Sequence, residues 1–166
     1  MARRNDHTRD ELESMMLTRA AAIVKVHGFE GLTARRLAEE IGYAPGTIYN
    51  VFPSMDDLYL RLNAGTLARL YAVLADPACN DPRKTALANM KLMARRYHAF
   101  CVEEKPFWLM LFTHRLAPGH ALPSWFSDDV EKLFQPLETL LRPYYKDSDK
   151  KSPKMAARIL WSSVHG

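Results

Sequence analysis

Side chains able to hydrogen-bond at a distance gather between Gly28 and Phe52: Thr33, Arg35 and Arg36, then Thr47, Tyr49 and Asn50. They sit on what reads as two short helices joined by a glycine turn. Thr33 is a good N-cap for the first, with Leu37, Ala38 and Ile41 on its inward side. Gly42 ends it. Pro45 falls in the first turn of the next, where a missing amide has no intrahelical partner to lose. Ile48 and Phe52 face inward there, which leaves Thr47, Tyr49 and Asn50 on other faces. This pattern is that of a helix-turn-helix, which lays one helix in the major groove of DNA. The chemistry is recognition through hydrogen bonds, not bond making.

Nothing else in the chain argues for catalysis. No Ser/His/Asp, Cys/His or paired-carboxylate constellation can be assembled, and Glu103-Glu104 reads as a solvated helix end. HxxxH, CxxC and glycine-rich phosphate loops are absent from the sequence. Cys79 and Cys101 lack metal-type spacing. No catalytic residue, metal or cofactor is expected, and a reduced, cytoplasmic protein is the simplest reading. The N-terminus runs into charge instead of an apolar stretch, so it is not a secretory signal. No apolar run approaches the length of a membrane span.

The 166 residues suffice for one or two compact units. Net charge is +4, which permits DNA binding without requiring it. Over residues 1–52, seven basic residues (Arg3, Arg4, Arg9, Arg19, Lys25, Arg35, Arg36) balance seven acidic ones (Asp6, Asp10, Glu11, Glu13, Glu30, Glu39, Glu40). Local placement of the cations therefore matters more than their sum. The excess lies later, at Arg142, Lys146, Lys150, Lys151, Lys154 and Arg158, and reads first as a solvated loop.

The elements that must hold these residues follow from periodicity. Thr8-Arg9-Asp10-Glu11 has the capping-box pattern. Leu12, Met16, Ala20, Ile23 and Val24 then recur at helical spacing up to Gly28, a favoured helix stop. Ser54 caps a linking helix that carries Leu58, Leu62, Leu67, Leu70, Val73 and Leu74 to about Ala75. Further helices are expected from Asp81-Pro82 (inward face Leu87, Met90, Ala94, Tyr97, Cys101), from Pro106, from Ser127 and from Ser152-Pro153. The last, with Met155, Ile159, Leu160, Trp161 and Val164, reads as the middle of a buried helix. It is expected to have been cut short or to lack a following helix, with a natural end at Gly166 as the alternative. No β-alternation is visible. The expected fold is all-α: a three-helix DNA-binding head over residues 1–53, then a helical ligand-binding and dimerisation body over 54–166.

Residues 8–60 resemble the DNA-binding head of the tetracycline-repressor (TetR) family of bacterial transcription regulators. The resemblance rests on Gly28-Phe29, Leu32-Thr33, Leu37-Ala38, Ile41-Gly42, Gly46-Thr47-Ile48-Tyr49 and Phe52 in register. Trp161 to Gly166 is similar to a Trp-xxx-His-Gly element of some of the family's C-terminal domains. The resemblance implies an all-helical homodimer of nine or ten helices that binds pseudo-palindromic double-stranded operator DNA. It also implies a small-molecule effector in the body that changes the separation of the heads.

Carried over, the resemblance assigns DNA binding to Thr33, Arg35, Pro45, Gly46, Thr47, Tyr49 and Asn50. Arg35 would reach a base edge, where a guanidinium fork on guanine discriminates by roughly 1–3 kcal/mol. Its plain alternative is a surface pair with Glu39 one turn on. Thr33 would bind phosphate while capping its helix, or only cap. Tyr49 would donate to phosphate or base, or serve only as packing. Arg3 and Arg4 form either a groove-seeking arm or a loose tail. Three positions depart from the family pattern: Met55 stands where a lysine is common, Ala44 where the third helix usually has Ser or Thr, and Val51 where an aromatic often precedes Phe52. They bear on affinity and operator more than on fold.

In the body, Met93, Tyr97, Phe100, Trp108, Phe112, His114 and Trp125 are the candidate ligand-binding residues, with Met110 and Phe126 beside them. Apolar and aromatic walls with a few polar groups suit a small-molecule pocket. The same residues would serve equally as ordinary helical core. The leading reading is a DNA-binding repressor released by a small molecule, and not an enzyme. Against it stand a helical carrier or enzyme with a vestigial head, and an architectural DNA binder indifferent to sequence.

Overall fold

The first helix starts where Thr8 can cap it. The Thr8 hydroxyl accepts from the Glu11 amide at 3.3 Å, and the Glu11 carboxylate accepts from the Thr8 amide at 2.7 Å, closing the expected capping box. The structure, a computed structural model, describes residues 8–117, 119–145 and 152–165. Arg3, Arg4, Pro118, Lys146, Lys150, Lys151 and Gly166 lie outside the described residues.

Eight α-helices and no strand occur among the described residues. In order they are α1 (Arg9–His27), α2 (Ala34–Ile41), α3 (Pro45–Val51), α4 (Met55–Leu74), α5 (Ala86–Glu103), α6 (Lys105–Thr113), α7 (Ser124–Leu141) and α8 (Ser152–His165). None is long and apolar enough to cross a membrane. Two glycines set the corners of the N-terminal region. Gly28 ends α1 at φ 71° and ψ −179°, and Gly42 ends α2 at φ 73° and ψ 29°. Both are backbone regions that side chains resist.

The chain divides into two compact units. The first takes residues 1–66 together with 104–121, the second 67–103 with 122–166. The first is built on α1, α2, α3, the start of α4, and α6. Its core gathers Met16, Val24, Leu32, Leu37, Ile48, Phe52, Leu58 and Met110, each no more than 2% exposed. Full burial of such side chains contributes about 1.5–3 kcal/mol each. Met110 comes from α6, with Phe107 packed beside it. The apolar run after Pro106 thus completes the core of the unit that holds α2 and α3.

The second unit joins the end of α4, α5, α7 and α8. Its closest association is α7 on α8, where Arg158 pairs with Glu131 and Glu138 and stacks on Phe134 at 4.8 Å. Tyr97, Trp161 and His165 cluster here. His165 Nδ1 donates to the Trp161 carbonyl at 2.7 Å, so Nε2 accepts from the Tyr97 hydroxyl.

Four expectations need correction. Asp81-Pro82 does not open a helix: Asp81 accepts from the Arg83 amide and guanidinium and closes a turn, and α5 begins at Ala86. The buried face of α5 is Asn89, Met93 and Phe100, while Leu87 is 56% exposed. The Asn89 side chain donates to the Asp81 carbonyl at 2.9 Å and turns that face inward. The seventh helix starts at Ser124, not Ser127, behind Pro123. Finally, α8 is not wrapped in core. Pro153 and Ala157 are buried, but Met155, Ile159, Leu160 and Val164 are exposed.

Candidate nucleic-acid interface

The geometry of α2 and α3 follows from three short-range constraints. Thr33 Oγ1 accepts from the Arg36 amide at 3.2 Å and starts α2. After Gly42, the Tyr43 amide donates to the Ala38 carbonyl at 2.9 Å, closing the turn. Pro45 then opens α3 behind Ala44, which supplies no side-chain cap, as its methyl group dictates. Ile48 and Val51 hold α3 to the core at 0% and 5% exposure. Its other faces stay open: Pro45, Gly46 and Asn50 are exposed, Tyr49 is 51% exposed and Thr47 half-buried.

Arg35 lies on the exposed side of α2 and its Nε donates to Glu39 Oε1 at 2.9 Å. The two side chains are 84% and 64% exposed. An exposed i,i+4 pair contributes only about 0.3–0.5 kcal/mol. A bidentate contact to guanine is worth several times more. The bond to Glu39 uses Nε, one of five N–H donors on the guanidinium. The pair therefore leaves base contact open. The Thr33 hydroxyl, likewise, spends a lone pair on its cap and keeps its proton to donate. Arg36 instead turns back to the Gly31 carbonyl at 3.4 Å.

Tyr59, on α4, donates to the Leu32 carbonyl at 2.9 Å and packs edge-on against Phe29. Burial raises the Tyr59 hydroxyl above its ordinary pKa of 10.0, with the Asp56 charge adding to it. His114, at the end of α6, lies against both rings and its Nε2 donates to Asp56 Oδ1 at 2.9 Å. That bond holds the Asp56 carboxyl below its ordinary 3.8, against the opposing effect of burial. In the sequence Asp56 shows only as an acidic residue in the first turn of α4, where it suits the helix dipole. Its partner lies 58 positions away, a separation no local pattern reports.

The seven candidate ligand residues divide between the units. Trp108, Phe112 and His114 belong to the first, and Met93, Tyr97, Phe100 and Trp125 to the second. His114 is occupied by Asp56 and only 5% exposed at its side chain. Met93 and Phe100 are buried, whereas Trp125 is 39% exposed against Phe126. The second unit also has an open groove of about 430 Å³ bounded by Ala72, Val73, Asp76, Arg96, Ala99 and Phe100. Arg96 and Asp76 pair at its polar end.

Comparison with known proteins is consistent across both parts of the chain. Residues 16–62 match the family described as bacterial regulatory proteins, tetR family, and residues 90–166 match a tetracyclin repressor-like C-terminal domain. Over 63 residues the chain is 35% identical to the HTH-type transcriptional repressor AcnR of Corynebacterium diphtheriae; the match spans 38% of this chain and only a third (33%) of that repressor. In overall fold it is similar to a protein of unknown function from Rhodococcus sp. RHA1, with TM-score 0.71, 20% identity, and 99% of this chain and 84% of that one covered. It is also similar to a protein of Streptomyces coelicolor A3(2) described as a possible TetR family transcriptional regulator. There the TM-score is 0.59 at 17% identity, over 87% and 67% of the two chains.

Proposed function

The chain belongs to the tetR family of bacterial regulatory proteins, and from that premise we propose that it is a sequence-specific DNA-binding transcription regulator, a repressor. The observation that carries the reading is the open face of α3: a seven-residue helix pinned by Ile48 and Val51 and uncovered at Gly46, Tyr49 and Asn50. Such a helix fits a major groove, with α2 crossing the backbone beside it.

In this reading Arg35 reads a base edge end-on through its terminal amino groups while Glu39 steadies Nε. Thr33 donates to a phosphate without giving up its cap. Tyr49 and Asn50 supply base or phosphate contacts, Thr47 a further hydroxyl, and Pro45 and Gly46 keep the leading edge of α3 slim. Phosphate contacts set register and base contacts set sequence. Residues 1–53 are the DNA-binding segment, and 54–166 the regulatory and dimerising body. The working form is a cytoplasmic homodimer on a two-fold operator, and a small apolar effector bound in the body modulates its hold on DNA. Catalysis has no part in this account.

The test is a binding titration on the DNA flanking its own gene. Replacing Arg35 and Tyr49 together with Ala should raise the dissociation constant at least tenfold, since two contacts worth about 1–3 kcal/mol each are lost. Both side chains are exposed, so thermal stability should hold. Unchanged specific affinity would mean that α2 and α3 are not the reading elements.

A further inference from the structure

We infer that Arg9 is a positioning residue for the recognition helix: from the first turn of α1 it holds the last carbonyl of α3 and so fixes the helix that the proposed function lays in the groove. The inference rests on that functional reading and adds a residue to it.

The need for such a residue comes from the shortness of α3. Two turns do not hold themselves in water, because helix nucleation is unfavourable and few bonds repay it. Its N-terminus has no side-chain cap. Burial of Ile48 and Val51 fixes one face of the helix. At its C-terminus the Ile48 carbonyl takes the Phe52 amide at 2.9 Å. The Val51 carbonyl takes Arg9 Nη2 at 3.3 Å, across 42 positions of sequence. A guanidinium at the negative end of a helix is favourable for its charge as well as its hydrogen bond.

Two neighbouring features make Arg9 a fixed point. The capping box of Thr8 and Glu11 locks the backbone around it. One turn along α1, Glu13 accepts from Arg61 Nη1 at 2.9 Å, and Arg61 lies over the Phe52 ring at 6.0 Å from its centroid. Arg61 is braced in turn by Asp57 at 3.3 Å. Arg9 and Glu13, spaced i and i+4, thus secure consecutive residues at the exit of α3, one through backbone and one through a ring. Position 9 could equally touch a phosphate, but the two roles differ in what they predict.

The experiment uses the full chain with Arg9→Met and Arg9→Lys. Its probes are duplexes enriched from a random pool by the wild-type protein, with the unselected pool as reference. The first readout, without DNA, is amide hydrogen exchange at Val51 and Phe52. Arg9→Met should speed it roughly 3- to 10-fold, as loss of one partly exposed charge-assisted bond allows, with amides of α2 unchanged. Arg9→Lys should restore part of the protection. The second readout is affinity across salt. Arg9→Met should weaken binding to the enriched duplexes roughly 3- to 10-fold, leave the unselected pool unaffected and keep the salt slope.

Unchanged exchange at Val51 and Phe52 would overturn the proposal. So would equal weakening on both pools with a salt slope shallower by about 0.9, the mark of one lost phosphate contact. If the wild-type chain enriches no sequence, the regulator reading fails, and the role of Arg9 in it fails too, whatever the exchange shows.

Discussion

Replacing Gly46 with Ala separates stability from DNA affinity. A Cβ built on Gly46 meets no atom within 4 Å. Its backbone is not among the positive-φ glycines, which are Gly28, Gly42 and Gly119. The extra methyl is therefore neither crowded nor strained in the free protein. Glycine inside a helix is disfavoured against alanine by about 0.5–1 kcal/mol; near the first turn the lower figure applies. Gly46→Ala should raise the melting temperature by about 1–2 °C in a chain of this size. On DNA the sign reverses. If the first turn of α3 approaches the duplex backbone to backbone, the methyl holds the helix off and lengthens the contacts of Thr47 and its neighbours. Losing one or two such contacts costs roughly 1–3 kcal/mol, or about 5- to 150-fold in affinity. Differential scanning fluorimetry and fluorescence anisotropy at one fixed salt concentration read the two effects. Full operator affinity in Gly46→Ala would refute the close approach. A lower melting temperature would refute the reading of Gly46 as unhindered.

Glu39→Ala should leave stability within about 0.5 kcal/mol, because its pair with Arg35 is exposed. It should tighten DNA binding by removing a nearby negative charge, whereas Arg35→Ala should weaken binding and relax preference at a single base pair, as titrations on base-substituted duplexes would report. Asp56→Asn tests the His114 contact. The folded Asp56 carboxyl lies below its ordinary 3.8, so its contribution is present above about pH 3.8 and lost as pH falls through the folded value. The variant should be less stable than wild type by roughly 1 kcal/mol at pH 7, and the gap should close in acid; a gap that persists at pH 2–3 would show that the charge is not its cause. Gly28→Ala should cost roughly 1–3 kcal/mol, since φ 71° with ψ −179° is open almost only to glycine. Gly42→Ala, in the left-handed region, should cost about 1–2 kcal/mol, and urea unfolding would rank the two.

The head was legible because its signals are local. Thr8, Thr33 and Ser54 each cap a helix within three residues, Gly28 and Gly42 stop one, and Pro45 starts one. Met16, Ala20, Ile23 and Val24 repeat at helical spacing and are all buried. What stayed hidden is what distance carries. The run from Phe107 to Phe112 is apolar, but hydrophobic burial is non-directional, so nothing in it names the core it serves. Met110 belongs with Met16 and Ile48, and only the fold says so. The face of α5 is hidden because Leu87 and Ala94 fit a periodic stripe, while the polar Asn89 is the residue that turns inward. Arg9 is one cation of seven in the first 52 residues, and its bond to Val51 joins α1 to α3 across 42 positions.

The place of Met110 bears on how the protein is made. Synthesis runs from the N-terminus, and α1, α2 and α3 leave the ribosome long before α6 does. Until about residue 113 has emerged, the nascent chain presents an open seam where the Met110 and Phe107 side chains belong. The unit that holds α2 and α3 therefore matures only after a long stretch of later chain exists, and a gene fragment stopping at residue 66 should yield that unit with loosened packing.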